Sequence, residues 1–304
     1  MPPGSAFQPL NVLRRPTLQA NMSTQFAAVA AIAGIGAYVL YSRQSKTDKS
    51  HKPIFSSFGI RKLRLHSTEM INHNTKKLRF ELPDPNQPSG LSLTSALLSI
   101  SFPNGSWRPV LRPYTPTNDL SEPGFIELMV KLYPNGKGSG YLHSLKPGDT
   151  VSFLPIPGLA WKPNLHPHVV GIAGGAGITP MYQLARGILK NPDDRTRITI
   201  VWGVNTEADM FLKDEFSELE KKYGTDRFKV VYVVASPASS SAPYEKGFVT
   251  AEMLEKHGLS SKDEKNRDAR VLVCGPPPME KALKAKEWGV LAKLGYKPDQ
   301  IHTF

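Results

Sequence analysis

The hydrophobic pattern changes period once, near residues 162–166, and that change constrains the fold more than any other feature of the chain. Upstream, from about Ile54 to Lys162, the apolar residues fall into short runs: Lys62–His66, Lys77–Leu82, Leu97–Phe102, Phe125–Leu132 and Thr150–Leu154. Several alternate polar and apolar residues, as half-buried strands do, and turn formers such as Pro103-Asn104-Gly105 and Ser121-Glu122-Pro123-Gly124 separate them. Regularly spaced short strands predict an antiparallel Greek-key barrel, interrupted by one helix over Ser139–Leu145. Downstream, strands and helices alternate. Val169–Ile172, Arg197–Trp202, Phe228–Val234 and Arg270–Cys274 read as strands; Pro180–Lys190, Phe211–Tyr223, Thr250–His257 and Met279–Leu294 read as helices. This alternation predicts a parallel sheet covered on both faces, with ligands at the carboxyl ends of its strands.

The N-terminal part is of another kind. Residues 1–47 carry Arg14, Arg15, Arg43 and Lys46 and no acid; the first acid is Asp48. An acid-free, Ser/Thr-containing stretch with paired arginines has the composition of a mitochondrial targeting segment. Phe26 to Tyr41 is a run of sixteen residues without a charge. As a helix it would span ~24 Å, and with its uncharged flanks it is long enough to approach the hydrocarbon thickness of a bilayer. The expected organisation is a targeting segment (1–22), a membrane anchor (23–42), a linker (43–55), a β domain (56–165) and an α/β domain (166–304). Cys274 is the single cysteine, which excludes a disulfide scaffold and a cysteine-rich zinc site. The net charge of +12 fits an acidic partner or a phosphate-bearing ligand. The basic residues do not cluster with aromatics in any nucleic-acid motif, so no nucleic-acid partner is expected.

Three segments could carry chemistry. Gly171 to Pro180 joins a strand to a helix, and Gly174, Gly175 and Gly177 would let backbone amides approach a phosphate. Thr179 reads as the helix N-cap and Pro180 as its first residue. Read alone, such a loop is a tight structural turn. Cys274-Gly275-Pro276-Pro277-Pro278-Met279 ends another strand of the same half, its prolines fixing a rigid loop. Read alone, Cys274 is a buried thiol with no base beside it. In the β half, Arg112-Pro113-Tyr114-Thr115-Pro116 offers a guanidinium fork for a diphosphate and a flat ring for an aromatic ligand. Its bland reading is a proline-rich strand end.

Taken in order, Arg-Pro-Tyr-Thr-Pro, Gly136-Lys137-Gly138-Ser139, Gly-Gly-x-Gly-Ile-Thr-Pro and Cys-Gly-Pro-Pro-Pro-Met resemble the NADH–cytochrome b5 reductase family. The resemblance runs from about residue 56 to Phe304. It implies an FAD-binding barrel, an NAD(P)H-binding α/β domain, and a monomer that reduces an acidic haem protein. An anchored member looks like the fungal mitochondrial type, with an endoplasmic reticulum membrane as the other address. By position, Arg112, Pro113, Tyr114 and Thr115 would hold the flavin and its phosphates. Met129 and Lys131 would line it, and Lys137, Gly138 and Ser139 would face the phosphates. Gly174, Gly175, Gly177, Gly275, Pro276, Pro277 and Met279 would bracket the nicotinamide nucleotide. Cys274, Thr179 and Tyr114 would stand nearest the hydride transfer, which needs stacking and distance control more than an acid–base pair. Three departures stand out. Gly138 replaces the more usual Met, Val234-Ala235-Ser236-Pro237 lacks the usual Asp, and Trp161–His168 between the domains is shorter than usual with fewer lysines for an acidic acceptor. NADH is therefore expected with some tolerance of NADPH, and the acceptor stays open. Other acceptors on the same scaffold, or an assembly factor without turnover, are the competing readings.

Overall fold

The computed structural model describes residues 52–56, 59–239, 241–285 and 288–304. The expected targeting segment and membrane anchor lie outside the described residues. Among the described residues no helix is long and apolar enough to cross a membrane.

The first half forms one six-stranded antiparallel sheet from β1 (Arg61–Met70), β2 (Thr75–Glu81), β3 (Ala96–Ser101), β4 (Val110–Tyr114), β5 (Phe125–Lys131) and β6 (Thr150–Ile156). The spatial order is β4-β3-β6-β1-β2-β5, so the sheet curls into a half-barrel with β4 and β5 as its edges. Helix α1 (Lys137–Ser144) packs across both edges. The interior is apolar. Leu63, Leu65, Leu97, Leu128, Phe80 and Phe153 have at most 1% exposure, and the two phenylalanine rings meet edge to face at 5.1 Å. Ile54 and Phe55, expected in the linker, pack into this core instead, and their amides bond to the carbonyls of Pro88 and Ser89. The folded β domain thus begins at least two residues before the expected boundary.

The second half is a six-stranded parallel sheet. It contains β7 (His168–Gly174), β8 (Arg197–Val204), β9 (Phe228–Val234), β10 (Glu245–Lys246), β11 (Arg270–Cys274) and β12 (Ile301–Thr303), in the order β10-β9-β8-β7-β11-β12. One face is covered by α2 (Ile178–Lys190) and α3 (Lys213–Tyr223), the other by α4 (Ala251–Lys256), α5 (Pro277–Lys284) and α6 (Val290–Lys293). The expected single helix over Met279–Leu294 is two. Ala285 takes an extended conformation (ψ 131°) that ends α5, and the chain restarts at Gly289, where a Cβ would sit 2.4 Å from the Ala285 carbonyl oxygen. The apolar spacing of Leu283, Val290 and Leu294 persists through this break because both pieces bury against the same core.

The halves dock through α2. Its Gln183 Nε2 donates to the Pro116 carbonyl (2.8 Å), Arg186 to the Thr117 carbonyl (2.8 Å), and Lys190 to Asp119 Oδ2 (2.6 Å). Gly187 permits the approach, since a Cβ there would lie 2.3 Å from Leu93 Cδ2. The connecting stretch is pinned as well, with Trp161 Nε1 donating to Asp194 Oδ2 at 2.8 Å.

Candidate functional site

The edge strand β4 and the start of α1 build the first part of the site. In β4, Arg112 and Pro113 are exposed, Tyr114 is half-buried, and Thr115 just beyond is buried. Ser99 pairs with Arg112 across β3 and its hydroxyl donates to the Arg112 carbonyl (3.1 Å), which holds the strand while the guanidinium stays outside. No side chain caps α1, so its first amides face outward, as a helix start that receives an anion does. Gly138 lets that helix start come against Arg112: a Cβ would stand 2.8 Å from Arg112 Cγ. The Ser139 hydroxyl is taken up in the turn, accepting from the Tyr133 amide and donating to the Gly136 carbonyl, each at 3.2 Å. Beside these residues, Lys137, Tyr133, Tyr141 and Arg108 line a groove of about 1150 Å³. Arg108, Lys137 and the start of α1 around one groove fit the diphosphate of a dinucleotide, while Arg112 abuts that helix start at Gly138 and is not part of the groove's lining. Burial pushes the Tyr114 phenol up to about 12 against the opposing charge of Arg112, so it stays neutral and presents a flat face.

The second part lies where the parallel sheet reverses its order. From β7 the chain steps outward through β8, β9 and β10, then returns to β11 on the other side of β7, leaving a crevice between the β7 and β11 loops. These loops are in tight contact. A Cβ at Gly174 would meet Met279 Sδ at 2.6 Å, and one at Gly177 the Cys274 carbonyl oxygen at 2.2 Å. Gly175 has φ +53°, and the fully buried Trp202 donates from Nε1 to its carbonyl (2.9 Å). Gly174, Gly175, Pro276, Met279, Lys131 and Tyr133 help line a cleft of about 390 Å³, with Asn205 and Phe248 farther along. Cys274 and Gly177 stand behind this lining, and Pro277 is exposed as the first residue of α5. Burial, aided by Glu280, pushes the Cys274 thiol up to about 12.

Thr179 is not the N-cap. The 3-10 turn Gly175–Gly177 runs directly into α2, which starts at Ile178, so Thr179 lies inside the first turn with its hydroxyl donating to the Ala176 carbonyl (3.2 Å). Pro180 is accordingly the third helical residue, where its missing amide is still without an intrahelical role.

Two expected flavin-lining residues of β5 have other side-chain partners. Met129 is buried in the α/β core. Lys131 forms an ion pair with Asp209 at 2.8 Å, its side chain 9% and that of Asp209 6% exposed. Tyr133, Asp209, Asn205 and Phe248 escaped the sequence reading. Tyr133 lines both the groove and the cleft, and the capping-box signature Thr206-x-x-Asp209 was readable, though its reach across domains was not.

Comparison with known proteins agrees with this layout. Residues 62–156 match the oxidoreductase FAD-binding domain and residues 172–285 the oxidoreductase NAD-binding domain. NADH-cytochrome b5 reductase 2 of Pyricularia oryzae is 41% identical over 296 residues, covering 91% of this chain and 88% of the relative. Its namesake in Emericella nidulans is 41% identical over 301 residues, covering 93% and 91%. Among solved structures, the cytochrome b5 reductase domain of Ulva prolifera nitrate reductase is 30% identical with a TM-score of 0.72, covering 81% of this chain and 97% of that domain. A chain with both domains in this order, and with relatives this close over nearly its whole length, belongs to the NADH-cytochrome b5 reductase family.

Proposed function

We propose that the protein takes a hydride from NADH onto non-covalently bound FAD and delivers single electrons to a haem protein of the cytochrome b5 kind, at a mitochondrial membrane. The observation that carries the chemistry is the meeting of the groove and the cleft at Tyr133, which borders both. FAD, when bound, supplies the conversion of a two-electron donor into one-electron deliveries. The protein's part is placement. Arg112 and the amides of α1 hold the diphosphate, Tyr114 offers its ring, and the Gly174–Gly177 and Cys274–Met279 loops bound the nucleotide. The curated fungal relatives are named for cytochrome b5, and the net charge of +12 favours an acidic acceptor. Membrane attachment through residues 23–42, the mitochondrial address and the monomeric state rest on the sequence reading.

The purified chain should show a flavin spectrum, bleach with NADH without air, and reduce cytochrome b5. A flavin that bleaches while cytochrome b5 stays oxidised would move the assignment to another acceptor. Arg112→Ala should lower flavin content severalfold, because the diphosphate loses its bidentate partner; full occupancy in that variant would count against the site.

A further inference from the structure

We propose that Asp209 is a positioning residue for hydride transfer, acting through Lys131 to fix strand β5 against the glycine loop of the nucleotide cleft. The proposal rests on the NADH-to-FAD reading above.

Asp209 is the one carboxylate in the Thr206–Asp209 turn that both domains use. From its own domain, the Thr206 amide and hydroxyl donate to Oδ2 at 3.0 and 3.1 Å. From the β domain, Lys131 Nζ and Asn74 Nδ2 each donate to Oδ1 at 2.8 Å, and His73 Nε2 stands 3.8 Å away. Asn72 Nδ2 adds a bond to the neighbouring Ala208 carbonyl (2.9 Å). The other acid of the turn, Glu207, accepts from the Ala238 amide (3.0 Å), which ties in the loop after β9. One short turn therefore grips β5, the β1–β2 connection and the loop after β9.

The position of Lys131 makes this grip matter for chemistry. It is the last residue of β5, it lines the nucleotide cleft, and two residues on Tyr133 lines both cleft and groove. The phenol oxygen of Tyr133 lies 3.7 Å from where a Gly175 Cβ would be, so β5 and the glycine loop are already close. Hydride transfer requires donor and acceptor carbons within about 3.5 Å, and misplacement by ~1 Å costs on the order of a hundredfold. The α2 latch at Gln183, Arg186 and Lys190 holds the domains together separately. Loss of the Asp209 pair should therefore let the domains pivot about α2 rather than part.

The test uses the full FAD-loaded protein with Asp209→Asn and Lys131→Met, singly and combined. Rapid mixing with NADH, and with NADH deuterated at the transferred position, gives the limiting rate of flavin bleaching, its half-saturating NADH concentration and the isotope effect. Both single variants should lose about tenfold in limiting rate, with a larger isotope effect and unchanged flavin content, since looser stacking exposes the hydride step. The double variant should be no slower than the slower single one. An unchanged isotope effect with loss only of flavin or thermal stability would make the pair structural and overturn the proposal, as would single losses that multiply. Should Asp209→Asn fail to fold, Lys131→Met decides by the same isotope effect. Wild-type flavin that NADH does not bleach would overturn the hydride reading, and the proposal with it.

Discussion

Burial holds the Cys274 thiol up at about 12, so at neutral pH it is a protonated, weakly polar group and not a nucleophile. Its main-chain role is packing: the carbonyl presses on Gly177. Cys274→Ser should slow flavin reduction several-fold, because a hydroxyl replaces the thiol packed against the core at the end of β11, while leaving turnover intact, and alkylation at pH 8 should be slow. Complete loss of bleaching in the serine variant would point to covalent chemistry instead. Discrimination between nucleotides also turns on single residues. After β9 stand Ala235 and the exposed Ser236, whose amide donates to the Asn205 carbonyl (2.9 Å). Glu245, the acid of β10, faces α4, accepting from Lys256 (2.7 Å) and His257 (2.8 Å). Residues 235–238 themselves carry no carboxylate to repel a ribose 2′-phosphate, and Glu207, the acid against this loop, is engaged by the Ala238 amide (3.0 Å). Removing one such repulsion is worth ~1–2 kcal/mol, or about tenfold in relative efficiency. The ratio of kcat/KM for NADH over NADPH should be modest in the wild type and rise about tenfold in Ser236→Asp; an unchanged ratio would place discrimination elsewhere.

The elements differ in how openly the sequence declares them. β9 and β11 are readable residue for residue, because strands buried on both faces of a parallel sheet are near-continuous β-branched runs. β4 is not, because its exposed Leu111, Arg112 and Pro113 carry no alternation: on this edge strand neither face of the middle three residues is buried. β10 and β12, with two and three residues, are too short for any period. The site follows the same logic. Gly174, Gly175 and Pro276 were legible because local backbone demands select glycine and proline, whereas the pairing of Lys131 with Asp209, 78 positions apart, has no local signature. The two loops of the switch point allow a sharp test. Gly177 has an ordinary φ of −62°, so its need is space alone. Gly177→Ala drives a methyl onto the Cys274 carbonyl oxygen, 2.2 Å from the new Cβ. It should cost about 3 kcal/mol as overpacking against backbone, and raise the half-saturating NADH concentration. Thermal denaturation and NADH titration read the two effects; a neutral result would show that the loops separate freely.

For the whole molecule, two carboxylates, Asp209 and Asp119, take part in the domain interface beside bonds to main-chain carbonyls, and they shape its response to acid. Burial disfavours ionisation of Asp209, yet hydrogen bonds from Lys131, Asn74 and the Thr206 amide, with the ammonium charge, outweigh it and hold the group at about 2. Asp119, against Lys190 and Ser121, is likewise held at about 2 despite its burial. Both folded values lie below the usual carboxylate value of 3.8, so the stabilisation is complete above pH about 4 and disappears as pH falls towards about 2. For the enclosed Asp209 this amounts to about 2 kcal/mol. For Asp119 it is smaller, since Lys190 is 62% exposed and water screens the pair. Acidification from pH 5 to pH 3 should therefore loosen the interface before either sheet unfolds, and the fluorescence of the flavin-loaded protein should rise over the same range. Asp209→Asn, carrying no titrating group there, should show lower stability at pH 7 but a shallower loss below pH 4. Urea denaturation at pH 7, 4 and 3 on both proteins gives the comparison. Parallel losses in the two would assign the acid sensitivity to other carboxylates and leave the Asp209 latch without a part in it.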